Sequence, residues 1–583
     1  MIKKLAGYVG RYKRIIAWVP LFVLLDALAE LSMPLLMSKI VDVGIANQDI
    51  AYIAQIGIYM ALLALGAMLC GMMVMWLATQ GSMGFGANLR DALFAKIQGF
   101  SFSNIDQFST ASLVTRVIND VNNLQLTFMM ALRILLRAPL MLIIAFVLAY
   151  NINAQLSLVL LVAIPVLALG FTFILRGATK RFDKVQQRLD EMSSTLQENL
   201  IGQRVVKAFV RSDFEIDKFQ HSNDNVTNAF IRAVSLIILN MPLMMLIMNV
   251  TVLIIMWRGG HLVYSGIMGT GQLISFVSYV FYILMSINMI SMVFVMTGRA
   301  QASGRRILEV LETHVDIADK VAPEATTQPA PQVTAGKVEF RNVTFKYSLT
   351  GTGDEVLSGI DFSAEPGEVV AIVGGTGSGK STLVSLIPRL YDVSAGAVLI
   401  DGIDVRDYAL ETLRSAIGVV LQKNTLFSGT IRENLLWGRQ DASQAEIEAA
   451  CADAQAHDFI MSFPEGYDTN LGQGGVNVSG GQKQRLCIAR AILKQPKILI
   501  LDDSTSAVDS ATEARIRESF DHHLAQTTIF IIAQRISSVR EADKIIVLDD
   551  GKIAGIGTHQ SLLANNVIYQ EINQSQQEGV LGE

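Results

Sequence analysis

From Ala233 through Trp257 the chain carries no charged residue, and a helix needs about 20 apolar residues to cross the hydrocarbon core of a bilayer. Backbone polar groups in hydrocarbon must be satisfied within the segment, so runs of this kind fold as membrane helices. Five other segments qualify: Ile15–Ile40, Ala51–Thr79, Phe128–Tyr150, Leu156–Leu175 and Gly271–Met296. Charges become dense only after about residue 300 of the 583, which reads as a membrane half followed by a soluble half. A net charge of −5 excludes nucleic acid as a main partner, because duplex binding rests on a basic face that neutralises phosphates. The three cysteines, Cys70, Cys451 and Cys487, are too scattered for a disulfide framework or a metal-ligand pattern.

Short connectors such as Asn151–Gln155 join the spans in pairs, whereas long charged segments, Leu89–Leu126 and Arg176–Arg232, separate the pairs. Lys3, Lys4, Arg11, Lys13 and Arg14 precede the first span, and Arg90, Lys96, Arg116, Arg176, Lys180 and Arg181 flank the others. The positive-inside rule places the N-terminus and both long segments in the cytoplasm. An even number of spans returns the soluble half to the same side. Met1–Arg14 mixes basic and apolar residues at helical spacing, as an interfacial helix does. The apolar stretch from Ile15 outruns a signal peptide and reads as a retained span.

Four charges fall inside spans: Asp26 and Glu30 in the first, Arg133 and Arg137 in the third. Each pair is spaced i, i+4 and shares a helix face. Unpaired charges at such depth cost about 2.5–3.5 kcal/mol each on insertion scales, so the acids are expected to face the arginines, either locking helices or meeting a cationic substrate. Methionine clusters at Met72–Met75 and Met241–Met248 suit helix packing or a surface that repacks around varied ligands. Phe276, Tyr279, Phe281 and Tyr282 of the sixth span fit pore lining or lipid contact.

Val321–Gly336, rich in Pro, Ala and Thr, reads as a linker, and an α/β pattern opens with the strand-like Lys337–Phe345. Within it, Gly374-Gly375-Thr376-Gly377-Ser378-Gly379-Lys380-Ser381-Thr382 lies between the apolar run Val369–Val373 and the helical Leu383–Leu390. This is a P-loop in its strand–loop–helix setting. Its glycines let backbone N–H groups curl around phosphate, Lys380 neutralises the β- and γ-phosphates of ATP, and Ser381 can ligate Mg2+. Ile498–Leu501 is a second buried strand ending in Asp502, placed to hold the Mg2+ shell.

Asn477-Val478-Ser479-Gly480-Gly481-Gln482-Lys483-Gln484-Arg485 closely resembles the signature of ATP-binding-cassette proteins. The resemblance extends to Tyr347 (adenine stacking), Gln422 (a sensor of Mg2+ and nucleotide) and Ser506–Asp509 (the loop joining two nucleotide domains). It covers essentially the whole chain and looks like the exporter branch. It implies an all-α six-helix transmembrane domain (1–315), a linker (316–336), an α/β P-loop nucleotide-binding domain (337–574) and a tail (575–583). It further implies that Ser101–Phe108 and Arg211–Asp217 form the short helices that press into nucleotide domains.

Two positions depart from the family. Active members follow the Mg2+ carboxylate with a glutamate that polarises the attacking water; here stands Asp503. Active members place a γ-phosphate histidine after the strand Ile529–Ala533; here stands Gln534. A base must reach within about 2.6–3.2 Å of its proton, and a carboxylate one methylene shorter falls roughly 1–1.5 Å short. The expectation is a slow or non-hydrolysing site. Because the Ser479-Gly480-Gly481 signature is intact, the partner is expected to be a second half-transporter with its own glutamate and histidine, in a head-to-tail heterodimer. The expected cargo is an amphipathic drug or lipid, carried out of a bacterial plasma membrane. A dedicated lipid or peptide exporter and an ATP-gated channel or sensor subunit are the alternatives. Gln473, in place of a common glutamate, carries little weight, and His457, His522 and His523 show no catalytic spacing.

Overall fold

The structure is a computed structural model that describes residues 1–319, 331–347, 354–504 and 508–581, without the side chains of 2, 291–299, 510 and 577–581. Most of the expected linker, and Ser506 and Ala507, therefore lie outside the described residues. The chain forms two compact units, Met1–Gln98 with Ala111–Glu312, and Gly99–Thr110 with Thr313–Glu583.

In the first unit, among the described residues, six helices are long and apolar enough to cross a membrane: Val19–Ile45, Ile50–Gln98, Thr110–Ile152, Ala154–Ile201, Ser212–Tyr264 and Thr270–Ile290, the last continuing as helix to Glu312. Each expected span falls on one of them. The charged segments between spans are largely continuations of the same helices; of the two expected short helices, Phe102–Gln107 forms, whereas Arg211–Asp217 opens the 27-residue helix Ser212–Ile238 and the short helix is Gln203–Ala208 before it. A helix satisfies its own backbone in water as it does in lipid, and side chains at i, i+4 let it turn a charged face outward. The third and sixth helices are fastened in this extension. Asp120, 1% exposed, accepts from Ser303 Oγ at 2.8 Å and Arg306 Nε at 2.7 Å, while Arg116 Nη1 reaches Glu309 Oε2 at 2.7 Å.

The N-terminal expectation needs correction. Met1–Arg14 is not one interfacial helix but a series of short turns broken at Gly10, whose φ of 55° lies in the left-handed region. Leu5 and Val9 are buried, and Asn88 Nδ2 donates to Tyr8 O at 2.9 Å, so this segment packs on the second helix. Gly84 makes room for it, since a Cβ there would lie 2.2 Å from the Tyr12 ring.

The intramembrane charges pair as expected in part. Arg137 bonds Asp26 Oδ2 at 3.3 Å and also Glu30, whereas Arg133 pairs with neither acid. Residues at i, i+4 share a face only in α-helical geometry, and Ala131–Leu135 is a π turn that shifts the phase between the two arginines. Phe276 and Tyr279 are fully buried core residues, while Phe281 is exposed. Tyr279 OH donates to Leu31 O at 2.8 Å, and Ser275 Oγ donates to Pro34 O, tying the sixth helix to the proline turn of the first.

The second unit is built on three sheets, with strands β1 (Val338–Phe345), β2 (Leu357–Ala364), β3 (Val369–Gly374), β4 (Ala395–Ile400), β5 (Ile403–Asp404), β6 (Ile417–Val420), β7 (Gly429–Thr430), β8 (Asn470–Leu471), β9 (Ile498–Asp502), β10 (Thr528–Ile532), β11 (Lys544–Asp549) and β12 (Lys552–Gly557). The main sheet runs β12-β11-β3-β10-β9-β6 and is parallel except for β12. Both of its faces are covered, which is why β3, β9 and β10 read as continuous apolar runs. The antiparallel sheet is β2-β1-β4-β5, and β7 pairs β8. The short helix Phe102–Gln107 packs in this unit, capped at Ser101. Asn104 Nδ2 donates to His314 O at 3.1 Å and Ser103 Oγ to Asp316 Oδ2 at 2.7 Å. The C-terminal helix Val567–Leu581 runs straight through residue 575, where a tail was expected to begin.

Candidate functional site: a P-loop cavity

Where β3 ends, Gly374 adopts φ 156°, and a Cβ there would meet Leu548 O of β11 at 2.2 Å. Only glycine lets the chain turn away from the sheet so close to its neighbour. Gly379, at φ 92°, caps the helix Lys380–Ser385, so the loop delivers its N–H groups at a helix N-terminus, where the dipole favours anions.

The strand register supplies the opposite wall. Ile532 of β10 lies beside Asp502 of β9, and Asp503 N donates to Ile532 O at 3.0 Å. Asp503 is therefore held next to the segment that carries Gln534, and Gln534 Nε2 donates to Asp503 Oδ2 at 2.8 Å. The Gln422 side chain lies near the same carboxylate and opposes the effect of its burial. Ser381 Oγ donates to Asp502 Oδ1 at 3.0 Å, and Lys380 Nζ to Gly374 O at 3.0 Å and Gly375 O at 2.6 Å. Tyr347 OH lies 2.9 Å from Thr382 Oγ1, and its ring meets Tyr391 edge-on at 5.2 Å.

Burial sets the electrostatics. It pushes the Lys380 amine down, opposed by Asp502 and Asp503. It pushes Asp502 up against its bond from Ser381, and Asp503 up against the nearby Gln422 amide and its bond from Gln534. A phosphate entering beside Lys380 restores the favourable charge of the amine.

A cavity of about 770 Å³ brings together Tyr347, Gly374 through Thr382, Gln422, Asp502, Asp503 and Gln534. Ser479, Gly480, Gly481, Gln482 and Asp509 do not line it. Ser479 caps the helix Gly480–Leu493 in a reciprocal box with Gln482, and Asp509 caps Ser510–His523 through Thr512 N at 2.9 Å. His457 and His523 bond Tyr467 OH and Asp453, away from this cavity. Sequence reasoning missed Val356 and Ile532 and also Glu571, Ile572, Ser575 and Gln576 of the C-terminal helix. The i, i+4 spacing of Glu571, Ser575 and of Ile572, Gln576 was the available signal.

Residues 16–287 match the family described as the ABC transporter transmembrane region, and residues 357–506 the family described as ABC transporter. The chain is 42% identical to the uncharacterised ABC transporter ATP-binding protein YfiB of Bacillus subtilis, over 96% of both chains. It is 36% identical to an ATP-dependent lipid A-core flippase of Syntrophus aciditrophicus, over 84% of this chain and 80% of the flippase. A solved bacterial Atm1-family ABC exporter with ATP bound superposes with a TM-score of 0.80 at 27% identity, covering 97% of this chain and 98% of that one. A six-span helical unit, a P-loop α/β unit and matches along the full length of relatives place the chain in the ABC transporter family, as a multi-pass transport ATPase related to the Atm1-family exporters and carrying its membrane region and its nucleotide-binding domain on one polypeptide.

Proposed function

We propose that this chain is one half of a heterodimeric exporter that moves amphipathic drugs or lipids outward by alternating access. Its own P-loop site binds ATP and hydrolyses it slowly, and its Ser479-Gly480-Gly481 signature completes the partner's hydrolytic site. The observation that carries this reading is the Asp503 carboxylate, one methylene shorter than a glutamate and already engaged by Gln534 Nε2 at 2.8 Å. A carboxylate this short, turned onto Gln534, falls short of a water in line with the last phosphate even though burial raises its proton affinity. The donor set of Ser381, Asp502 and Gln422 is all oxygen and hard, and it fits Mg2+; when bound, that ion would neutralise phosphate charge. Lys380 and the P-loop amides hold the phosphates, and Tyr347 offers its ring to the base.

An exposed apolar tip supports a partner. Phe209, Val210, Phe214 and Ile216 are 60–86% exposed around the expected Arg211–Asp217 contact, where the helix begins at Ser212. A cluster of this kind in water marks a docking surface. The lipid flippase among its relatives supports an amphipathic cargo. Co-purification tests the reading. The expected result is negligible ATPase from the chain alone and robust turnover, stimulated by amphipathic compounds, once a second half-transporter is bound. Full activity of the isolated chain would falsify it.

A further inference from the structure

The C-terminal helix Val567–Leu581 is anchored before it reaches the cavity. Tyr569 is fully buried and bonds His559 Nδ1 at 2.7 Å, and Ile572 packs in the cluster that holds Ala533, Ile536 and Val539. One turn beyond Ile572, the Gln576 amide meets the main chain that follows β10. Its Nε2 donates to Gln534 O at 2.6 Å, and its Oε1 accepts from Ile536 N at 2.8 Å. A single planar group thus spans residues 534 to 536 with one donor and one acceptor, which fixes the peptide planes on both sides of Arg535. The Gln534 side chain leaves from that fixed segment, projects into the cavity and bonds Asp503. Glu571, Ile572, Ser575 and Gln576 line the same cavity as Lys380.

We propose that Gln576 is a positioning residue for nucleotide recognition. By clasping the backbone at Gln534 and Ile536, it aims the Gln534 amide at the terminal phosphate, so that the C-terminal helix makes this site prefer a triphosphate to a diphosphate. The adenine and first phosphates are held by other elements, Tyr347 and the P-loop, so loosening this clasp affects only the end of the nucleotide that faces Gln534. The inference rests on nucleotide binding in this cavity and is independent of how fast the site hydrolyses.

The test is the affinity of the full-length chain for mant-AMP-PNP and for mant-ADP, both with Mg2+. Gln576→Ala removes both backbone bonds and is expected to weaken the triphosphate analogue about tenfold while changing mant-ADP less than about twofold. Gln576→Glu keeps an acceptor for Ile536 N but cannot donate to Gln534 O, and about a threefold loss, for mant-AMP-PNP alone, is expected. Equal weakening of both nucleotides, as a merely structural role predicts, overturns the proposal, and so does an unchanged affinity in either variant. If Gln576→Ala does not fold, Gln576→Glu decides alone. ATPase rates play no part in the readout, so a fast site would refute the slow-site reading and leave this test intact.

Discussion

Replacing Asp503 by glutamate and Gln534 by histidine together is the sharpest perturbation of the cavity, because it tests the proposed slow site directly. The Asp503 carboxylate is one methylene short and held by Gln534, so it lacks reach to the attacking water. A well-placed general base contributes at least about a hundredfold, or roughly 3 kcal/mol of barrier. Asp503→Glu adds reach, and Gln534→His replaces the amide that holds the carboxylate. Part of the gain is lost to the backbone, because residue 503 sits at φ 49°, a left-handed conformation that aspartate tolerates better than glutamate, at a cost of about 1 kcal/mol. The double variant is therefore expected to speed cleavage at this site by about 30-fold, whereas Gln534→His alone gains less than about threefold because the short carboxylate remains. The assay is single-turnover release of labelled phosphate from the assembled complex, with the partner's catalytic carboxylate neutralised so that only this P-loop reports. A wild-type chain that cleaves as fast as the double variant refutes the reasoning, and so does a double variant that binds ATP normally and gains nothing.

Arg137→Ala strands Asp26 and Glu30 inside the membrane unit; a loss of about 3–5 kcal/mol is expected, read as a fall in the unfolding midpoint in detergent. The backbone N–H groups of Thr334, Ala335, Gly336 and Lys337 all donate to Asp401 at 2.7–3.0 Å and, against the effect of burial, hold its carboxyl below the usual range. A depressed carboxyl stabilises the fold above its ordinary value and ceases to do so as pH falls through the lower folded value. The stability gap between wild type and Asp401→Ala should therefore be full at neutral pH and close on strong acidification, as followed by denaturant titration. Tyr391→Phe removes the 2.7 Å bond to Asp106 Oδ2 but keeps the rings. Nucleotide affinity is expected to change less than about twofold for an exposed bond, while transport per ATP in vesicles falls.

The sequence was readable wherever a local rule sufficed. Apolar runs located all six spans, because hydrocarbon leaves a helix no alternative way to satisfy its backbone. The P-loop was legible because Gly374 and Gly379 must adopt backbone angles that other residues resist. Contacts across the fold were legible only where chemistry forced them. Asp26, Glu30 and Arg137 had to meet, but the π turn that turned Arg133 away left no mark in composition. The break at Gly10 was hidden for a similar reason: a basic, apolar N-terminus looks the same whether it lies on lipid or on a neighbouring helix. Gln576 was invisible because glutamine is common on solvated helix faces. Its role arises from where Tyr569 and Ile572 anchor the helix, a tertiary fact.

The cavity is one space with two separate lines of support. On the base side, Thr382 bonds Tyr347, whose ring abuts Tyr391, which bonds Asp106 and packs at 6.0 Å from Phe102 of the helix Phe102–Gln107. On the phosphate side, Asp503 bonds Gln534, whose carbonyl bonds Gln576 of the C-terminal helix. No residue belongs to both lines. The first is aromatic and stiff, and passes displacement by ring contact; the second is a run of amides, which can exchange partners without moving a ring. Coupling needs contiguous elements with discrete arrangements, and here the helix Phe102–Gln107 is linked to Tyr347, whereas Gln534 is linked to the C-terminal helix. With a nucleotide bound as proposed, its base on Tyr347 and its last phosphate beside Gln534, removal of that phosphate is expected to change the contacts of the second line and leave the first in place, as hydrogen exchange in the two helices would measure.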